Sequence, residues 1–150
     1  MSGSSATRTT TTAAETEAAG AALAAELRPG DIVLIEGEMG AGKTTFVRGA
    51  ARALGFDGPV TSPTFTIGRR YEPTRPGRVA IAHLDLHRLA GLADEDPALL
   101  DDYLTPDAIA FVEWPAIAEP ELLGRIRARV RLEHAGGDRR TIAVASSSGT

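Results

Sequence analysis

Gly37-Glu38-Met39-Gly40-Ala41-Gly42-Lys43-Thr44-Thr45 follows a short apolar run, Asp31-Ile-Val-Leu-Ile35. It precedes a stretch in which Phe46, Val47, Ala50, Ala51 and Leu54 recur at helical spacing. The apolar run carries β-branched residues and is bounded by Pro29-Gly30, so it reads as a buried, parallel strand. The stretch from Lys43 to Leu54 reads as a helix closed by Gly55. The segment between them fits G-x-x-x-x-G-K-[ST], in the strand–loop–helix setting that gives this pattern its meaning. Glycines there let successive backbone N–H groups curl round a phosphate, and the helix turns its positive end to the same anion. On this reading the backbone of Glu38, Met39, Gly40, Ala41 and Gly42 cradles the phosphates of a nucleotide. Lys43 reaches the β- and γ-phosphate oxygens, Thr44 ligates Mg²⁺ and Thr45 bonds the α-phosphate.

Composition sharpens the reading. Of 16 basic residues only Lys43 is a lysine; the rest are arginines. The lone lysine thus falls where a compact ammonium on a flexible stem is required. A guanine-reading N-K-x-D motif would need a second lysine, which excludes a GTPase of that class and makes ATP the expected nucleotide. The chain has no cysteine, hence no disulfide and no thiolate metal site. A net charge of −4 argues against a protein whose main task is to cover nucleic-acid phosphates. No stretch approaches the ~20 apolar residues that span a bilayer. Met1 to Thr12 lacks the apolar core of a secretory signal. The expectation is a cytoplasmic protein that engages no membrane.

The 150 residues fit one domain. Residues 1–12, Ser/Thr-rich, read as a disordered leader, 13–146 as a single domain and 147–150 as a disordered tail. Ala14 to Leu27 reads as a helix ended by Pro29-Gly30. Thr61 to Ile67 reads as a turn leading into a strand, and Tyr71 to Arg78 as a loop or hairpin tip. Val79 to Leu84 and Asp107 to Val112 are further apolar strands, with a helix over Asp94 to Tyr103 between them. From Arg125 to Leu132 arginines alternate with apolar residues, the period of a half-exposed strand. Ala135 to Asp138 is a turn, and Thr141 to Ala145 the returning strand. The expected fold is α/β and P-loop NTPase-like: a mostly parallel central sheet flanked by helices, with C-terminal antiparallel strands.

Nucleotide chemistry needs a carboxylate beside Mg²⁺ at the C-terminal end of a strand next to the loop strand. Asp85 and Glu113 both stand there, and spacing alone leaves open which touches metal and which orients water. His83, inside an apolar strand, reads as a hydrogen-bonded core histidine rather than a catalytic one. The arginine stripe from 125 to 131 reads as a solvated strand face, with tRNA or partner contact as the sharper alternative. Arg88 reads as either a transition-state cation or a plain ion-pair partner.

Four blocks, GEMGAGKTT (37–45), TSPTFT (61–66), HLDLHRL (83–89) and EWP (113–115), occur in one order. Together they resemble the bacterial TsaE (YjeE) family, the ATPase of tRNA threonylcarbamoyladenosine (t6A37) modification, over about Ala14 to Pro115. The resemblance implies a small P-loop α/β fold that hydrolyses ATP slowly alone and associates with TsaB and TsaD, touching tRNA indirectly or weakly. It implies that Lys43 and Thr44 hold phosphate and Mg²⁺, that Glu113 is the metal-associated acid and that Asp85 assists hydrolysis. It also puts Ser62 and Thr64 in a switch-like segment near the γ-phosphate, and Trp114 close to the nucleotide. His87 stands where the family usually has Tyr, and Ala116 where it often has Glu.

The expected catalytic residues are therefore Lys43, Asp85 and Glu113, and the expected metal ligands Thr44 and Glu113. The function expected is a weak, Mg²⁺-dependent ATPase stimulated by TsaB–TsaD. Two rivals remain. One is a small-molecule or nucleoside kinase with Arg69, Arg70, Arg75 and Arg78 in a lid; the other is an ATP-gated binding module without turnover.

Overall fold

The computed structural model describes residues 3–37, 42–60, 68–73, 78–85, 103–113 and 126–147. Three apolar runs become adjacent parallel strands: β2 (Ile32–Gly37), β4 (Ala80–Asp85) and β5 (Ala108–Glu113). Every residue of β4 and β5 is buried, which is why their sequences are apolar without alternation. β6 (Ile126–His134) lies parallel to β2 on its other side. The remaining strands are antiparallel: β3 (Gly68–Tyr71) against β4, β7 (Arg140–Ser147) against β6, and β1 (Gly3–Thr10) against β7. The sheet order is β1-β7-β6-β2-β5-β4-β3.

Three of its six pairings are parallel and three antiparallel, so the expectation of a mostly parallel sheet is corrected to a mixed one with a parallel centre. The pairing of β3 with β4 agrees with the loop or hairpin tip read over Tyr71 to Arg78, whereas the pairing of β1 with β7 was missed. β3 is a short strand with few apolar residues, and β1 arises within the segment expected to be a disordered leader. Gly3–Thr10 has no apolar face to bury, but its threonines favour extended backbone, and the free edge of β7 supplies the ladder. Its last residue is fixed further by a buried hydroxyl pair, Thr10 Oγ1 and Thr16 Oγ1 at 2.8 Å. The expected tail begins one residue too early, because Ser147 pairs with Gly3.

The two helices among the described residues pack on one face. α1 (Ala13–Ala24) starts at Thr12, whose side chain accepts from Glu15 N (3.1 Å), while Glu15 Oε1 accepts from Thr11 N (2.7 Å). That reciprocal pattern is the T-x-x-E start signal, here reaching one residue further back than usual. Backbone and hydroxyl donation from Thr11 holds the Glu15 carboxyl below its ordinary pKa. α2 (Lys43–Ala53) follows β2. The two helices touch backbone to backbone. A Cβ at Gly49 would stand 2.0 Å from Glu17 O, and one at Gly20 2.1 Å from Phe46 O. Glu17 also pairs with Arg52 (2.8 Å) and Arg48 (3.7 Å) across the seam.

The core has two halves. Leu23, Phe46, Val47 and Ala50 pack with Val33, Ile35, Phe111, Val130 and Leu132 on the helix side. Ile32, Leu34, Ala82, Leu84, Leu104 and Val112 form the other side. A register shift in the β2–β6 ladder lets Ile126 join the second half while Ala128 faces the helices. Beyond it β6 alternates as expected, with Ala128, Val130 and Leu132 inward and Arg129 and Arg131 exposed. The hairpin to β7 turns through Gly136 (φ 101°) and Gly137 (φ 56°), left-handed positions that favour glycine. The expected helix over 94–103 falls almost wholly outside the described residues. Among the described residues no helix is long and apolar enough to cross a membrane.

Candidate functional site

β2 delivers the chain to the C-terminal end of the sheet, and α2 leads it away. Two glycines frame this crossing. A Cβ at Gly37 would lie 2.4 Å from the Leu132 carbonyl oxygen, so β6 admits only glycine there. Gly42, at φ 97°, is the N-cap of α2 in a left-handed conformation, and no side chain caps this helix end. An uncapped N-terminus with its dipole facing outward is suited to an anion. Thr44 and Thr45 lie in the first turn, each half-buried.

Lys43 is buried, and its Nζ donates to Gly37 O at 2.7 Å. The same ammonium lies 3.8 Å from Glu113 Oε1. Glu113, 3% exposed, ends β5. Asp85, 7% exposed, ends β4 and is its direct register partner. Neighbours in a parallel ladder share a face, so both carboxylates stand on the helix side of the sheet with Phe111 and Ile81. The sequence-predicted Lys43, Glu113 and Asp85 are thus gathered at one end of the parallel centre, beside the first turn that carries Thr44 and Thr45. Glu38, Met39, Gly40, Ala41, Ser62, Thr64 and Trp114 lie outside the described residues, as do Arg75, His87, Arg88 and Ala116.

His83 is the buried, hydrogen-bonded core histidine expected: its Nε2 pairs with Glu113 Oε2, while Nδ1 has no partner among the described residues. Its link to Glu113 is what the sequence reading missed. The available signal was its i, i+2 relation to Asp85, which places both on one face of β4. His83, Glu113, Lys43 and the Gly37 carbonyl thereby form a continuous polar chain in an apolar setting.

Three of the four arginines named for a kinase lid, Arg69, Arg70 and Arg78, lie among the described residues. Arg70 bonds Glu72 (2.9 Å), Thr105 (2.9 Å) and Asp107 (3.0 Å), which ties β3 to the turn before β5. Hydrogen bonds to Glu72 and Asp107 raise its pKa, and those from Thr105 and Arg70 lower that of Asp107. The stem of Arg78 would sit 2.4 Å from a Cβ at Gly55. Arg69 remains exposed.

Among the described residues, no group of three or more His, Asp and Glu is arranged to hold a metal. Mg²⁺ takes one or two protein oxygens and fills its octahedron with phosphate and water, and Thr44 and Glu113 carry oxygen donors of that kind at this end of the sheet.

Comparison with known proteins gives one consistent result. The model of the family described as threonylcarbamoyl adenosine biosynthesis protein TsaE matches residues 10–142. A tRNA threonylcarbamoyladenosine biosynthesis protein TsaE of Streptomyces coelicolor is 43% identical over 119 residues, which is 79% of each chain. Its Bacillus subtilis namesake is 40% identical over 129 residues, covering 85% of this chain and 77% of the relative. The crystal structure of Bacillus subtilis YdiB superposes with a TM-score of 0.70 at 30% identity, over 97% of this chain and 88% of that one.

Proposed function

The chain belongs to the TsaE family, and from that membership we propose that it is a weak, Mg²⁺-dependent ATPase acting with TsaB and TsaD in t6A modification of tRNA. The fold on this reading is that of a P-loop NTPase. The observation that carries the proposal is the position of Lys43. The chain's only lysine opens α2 behind a G-x-x-x-x-G-K-T loop, with its ammonium between a strand-end carbonyl and a strand-end carboxylate.

The residues divide the work. The 37–45 backbone and the positive end of α2 hold the phosphate tail. Lys43 leaves the Gly37 carbonyl to meet β- and γ-phosphate oxygens, exchanging one acceptor for a charged one. Thr44 and Glu113 supply hard oxygen donors suited to Mg²⁺. When bound, that ion neutralises charge on the phosphate oxygens. Asp85, in register with Glu113, orients water or takes its proton. Ser62 and Thr64 respond to loss of the γ-phosphate, and the 61–66 segment relays that change to the TsaB–TsaD partners. Family membership also supports a role for Trp114 close to the nucleotide.

Reconstitution tests this. The chain is mixed with TsaB and TsaD, and phosphate release from ATP is followed with and without them. The expected result is slow turnover alone, stimulation by the pair, and ADP with free phosphate as the products, the γ-phosphoryl group passing to water and to no other acceptor. No stimulation, or phosphate appearing on an acceptor, contradicts it.

A further inference from the structure

His83 presents a contradiction that packing alone does not resolve. It is wholly buried in β4, flanked in the ladder by Phe111 on β5 and Arg69 on β3. A leucine or methionine of similar bulk would fill the same space without a polar atom. Instead the ring carries an Nδ1 with no partner among the described residues, a cost that an apolar side chain would avoid. Its other nitrogen, Nε2, is spent on Glu113 Oε2. A carboxylate only accepts, so in this contact the ring is the donor, through Nε2–H.

The second oxygen of Glu113 points elsewhere. Oε1 faces Lys43 Nζ at 3.8 Å, and Lys43 is itself anchored on Gly37 O. The two oxygens therefore have separate partners, one on β4 and one on α2. A glutamate has three side-chain torsions, and a strand-end carboxylate without a fixed oxygen would sample several orientations. Anchoring Oε2 removes that freedom and commits Oε1 to the side of Lys43 and Thr44. Histidines that ligate metal are commonly oriented by a carboxylate behind them; here the order is inverted, with the histidine behind the carboxylate.

We propose that His83 is a positioning residue: by donating Nε2–H to Glu113 Oε2, it aims Oε1 at Lys43 and at the Mg²⁺ of a bound nucleotide. The role rests on the proposed function for its consequence, but the contact itself does not.

Two readouts separate the layers. The first is ¹⁵N imidazole spectroscopy of the full chain without nucleotide. The expected spectrum has His83 as the Nε2–H tautomer, with the Nε2–H signal shifted in Glu113→Gln. A ring protonated on Nδ1 alone overturns the proposal, whatever the protein does with ATP. The second compares His83→Leu and His83→Gln in the reconstituted ATPase, since the glutamine amide can still donate to Glu113. For His83→Leu, kcat is expected to fall about 10-fold and the Mg²⁺ concentration for half-maximal rate to rise about 3-fold, with KM for ATP within about twofold. His83→Gln is expected to regain most of the rate. A leucine variant within about twofold of the parent in both kcat and Mg²⁺ requirement overturns the proposal, as does a glutamine variant no better than leucine. A parent chain that never turns over ATP condemns the proposed function instead, and the tautomer then still decides the His83 contact.

Discussion

The parallel centre of the sheet and its antiparallel flank are built from the same kinds of apolar residue, yet they treat polarity in opposite ways. In β4, β5 and the start of α2, charged or titratable side chains are taken inside: Lys43, His83, Asp85 and Glu113 are all buried, and all stand near one end. In β6, β7 and β1 the charges stay out. Arg129, Arg131 and Glu133 are exposed, and the buried polar groups there, Thr10 and Ser146, are hydroxyls. Burying polar and charged groups is expensive unless they are paired, and among the described residues Nδ1 of His83 has no partner. The flank carries the economy of a scaffold, and the centre carries the expense of a site.

The strongest way to break that contrast is Lys43→Ala. It removes the ammonium on which the proposed phosphate grip depends, and ATP turnover is expected to fall about 100-fold or more, with nucleotide affinity falling alongside. Calorimetric titration with ATP and steady-state phosphate release measure both. Unchanged binding and turnover would leave the buried charges without a task.

Next in size is a change outside the site. Gly49→Ala forces a Cβ to within 2.0 Å of Glu17 O, where backbone meets backbone and neither yields easily. The expected loss is roughly 1–3 kcal/mol of stability in urea unfolding. Because α2 carries Lys43 and Thr44, nucleotide affinity should weaken as well. Loss of stability without loss of affinity would show that the helix seam does not position the site.

Much of this contrast was legible beforehand. The uninterrupted apolar runs that became β2, β4 and β5 announced burial on both faces, and the carboxylates after the β4 and β5 runs, Asp85 and Glu113, pointed to the candidate site, because strand ends are where such sheets expose chemistry. The alternation of arginine with Ile126, Ala128, Val130 and Leu132 announced the flank. What escaped depends on partners distant in sequence. β1 is a strand only because β7, at the other end of the chain, offers it an edge. The His83–Glu113 bond exists only through the β4–β5 register; the local sequence shows that His83 shares a face with Asp85, and not that it meets Glu113. Gly20 and Gly49 look like weak points in helices until the two backbones are seen to touch.

Thr12→Ala sharpens the scaffold side of the comparison. It deletes the cap that accepts from Glu15 N and is expected to destabilise by about 1 kcal/mol, with ATP turnover little changed. The smallest expected effect is in pH. Glu15 and Asp107 are exposed carboxyls held below their ordinary values by Thr11 and by Thr105 with Arg70. In the window between the lowered and ordinary values the unfolded chain binds protons that the folded chain refuses. Stability therefore rises with pH through that window, is complete above it, and is lost as pH falls through the folded values. Urea midpoints from about pH 3 to 6 should flatten slightly in Glu15→Gln with Asp107→Asn.

The central claim is that the buried charges at the end of the parallel strands exist to meet a nucleotide. A crystal structure with Mg²⁺ and a non-hydrolysable ATP analogue tests it most directly. The account predicts phosphates seated against the 37–45 backbone, Lys43 Nζ moved from Gly37 O to phosphate oxygens, and the metal near Thr44 and Glu113. Analogue density anywhere else, with Lys43 still on the Gly37 carbonyl, would contradict it.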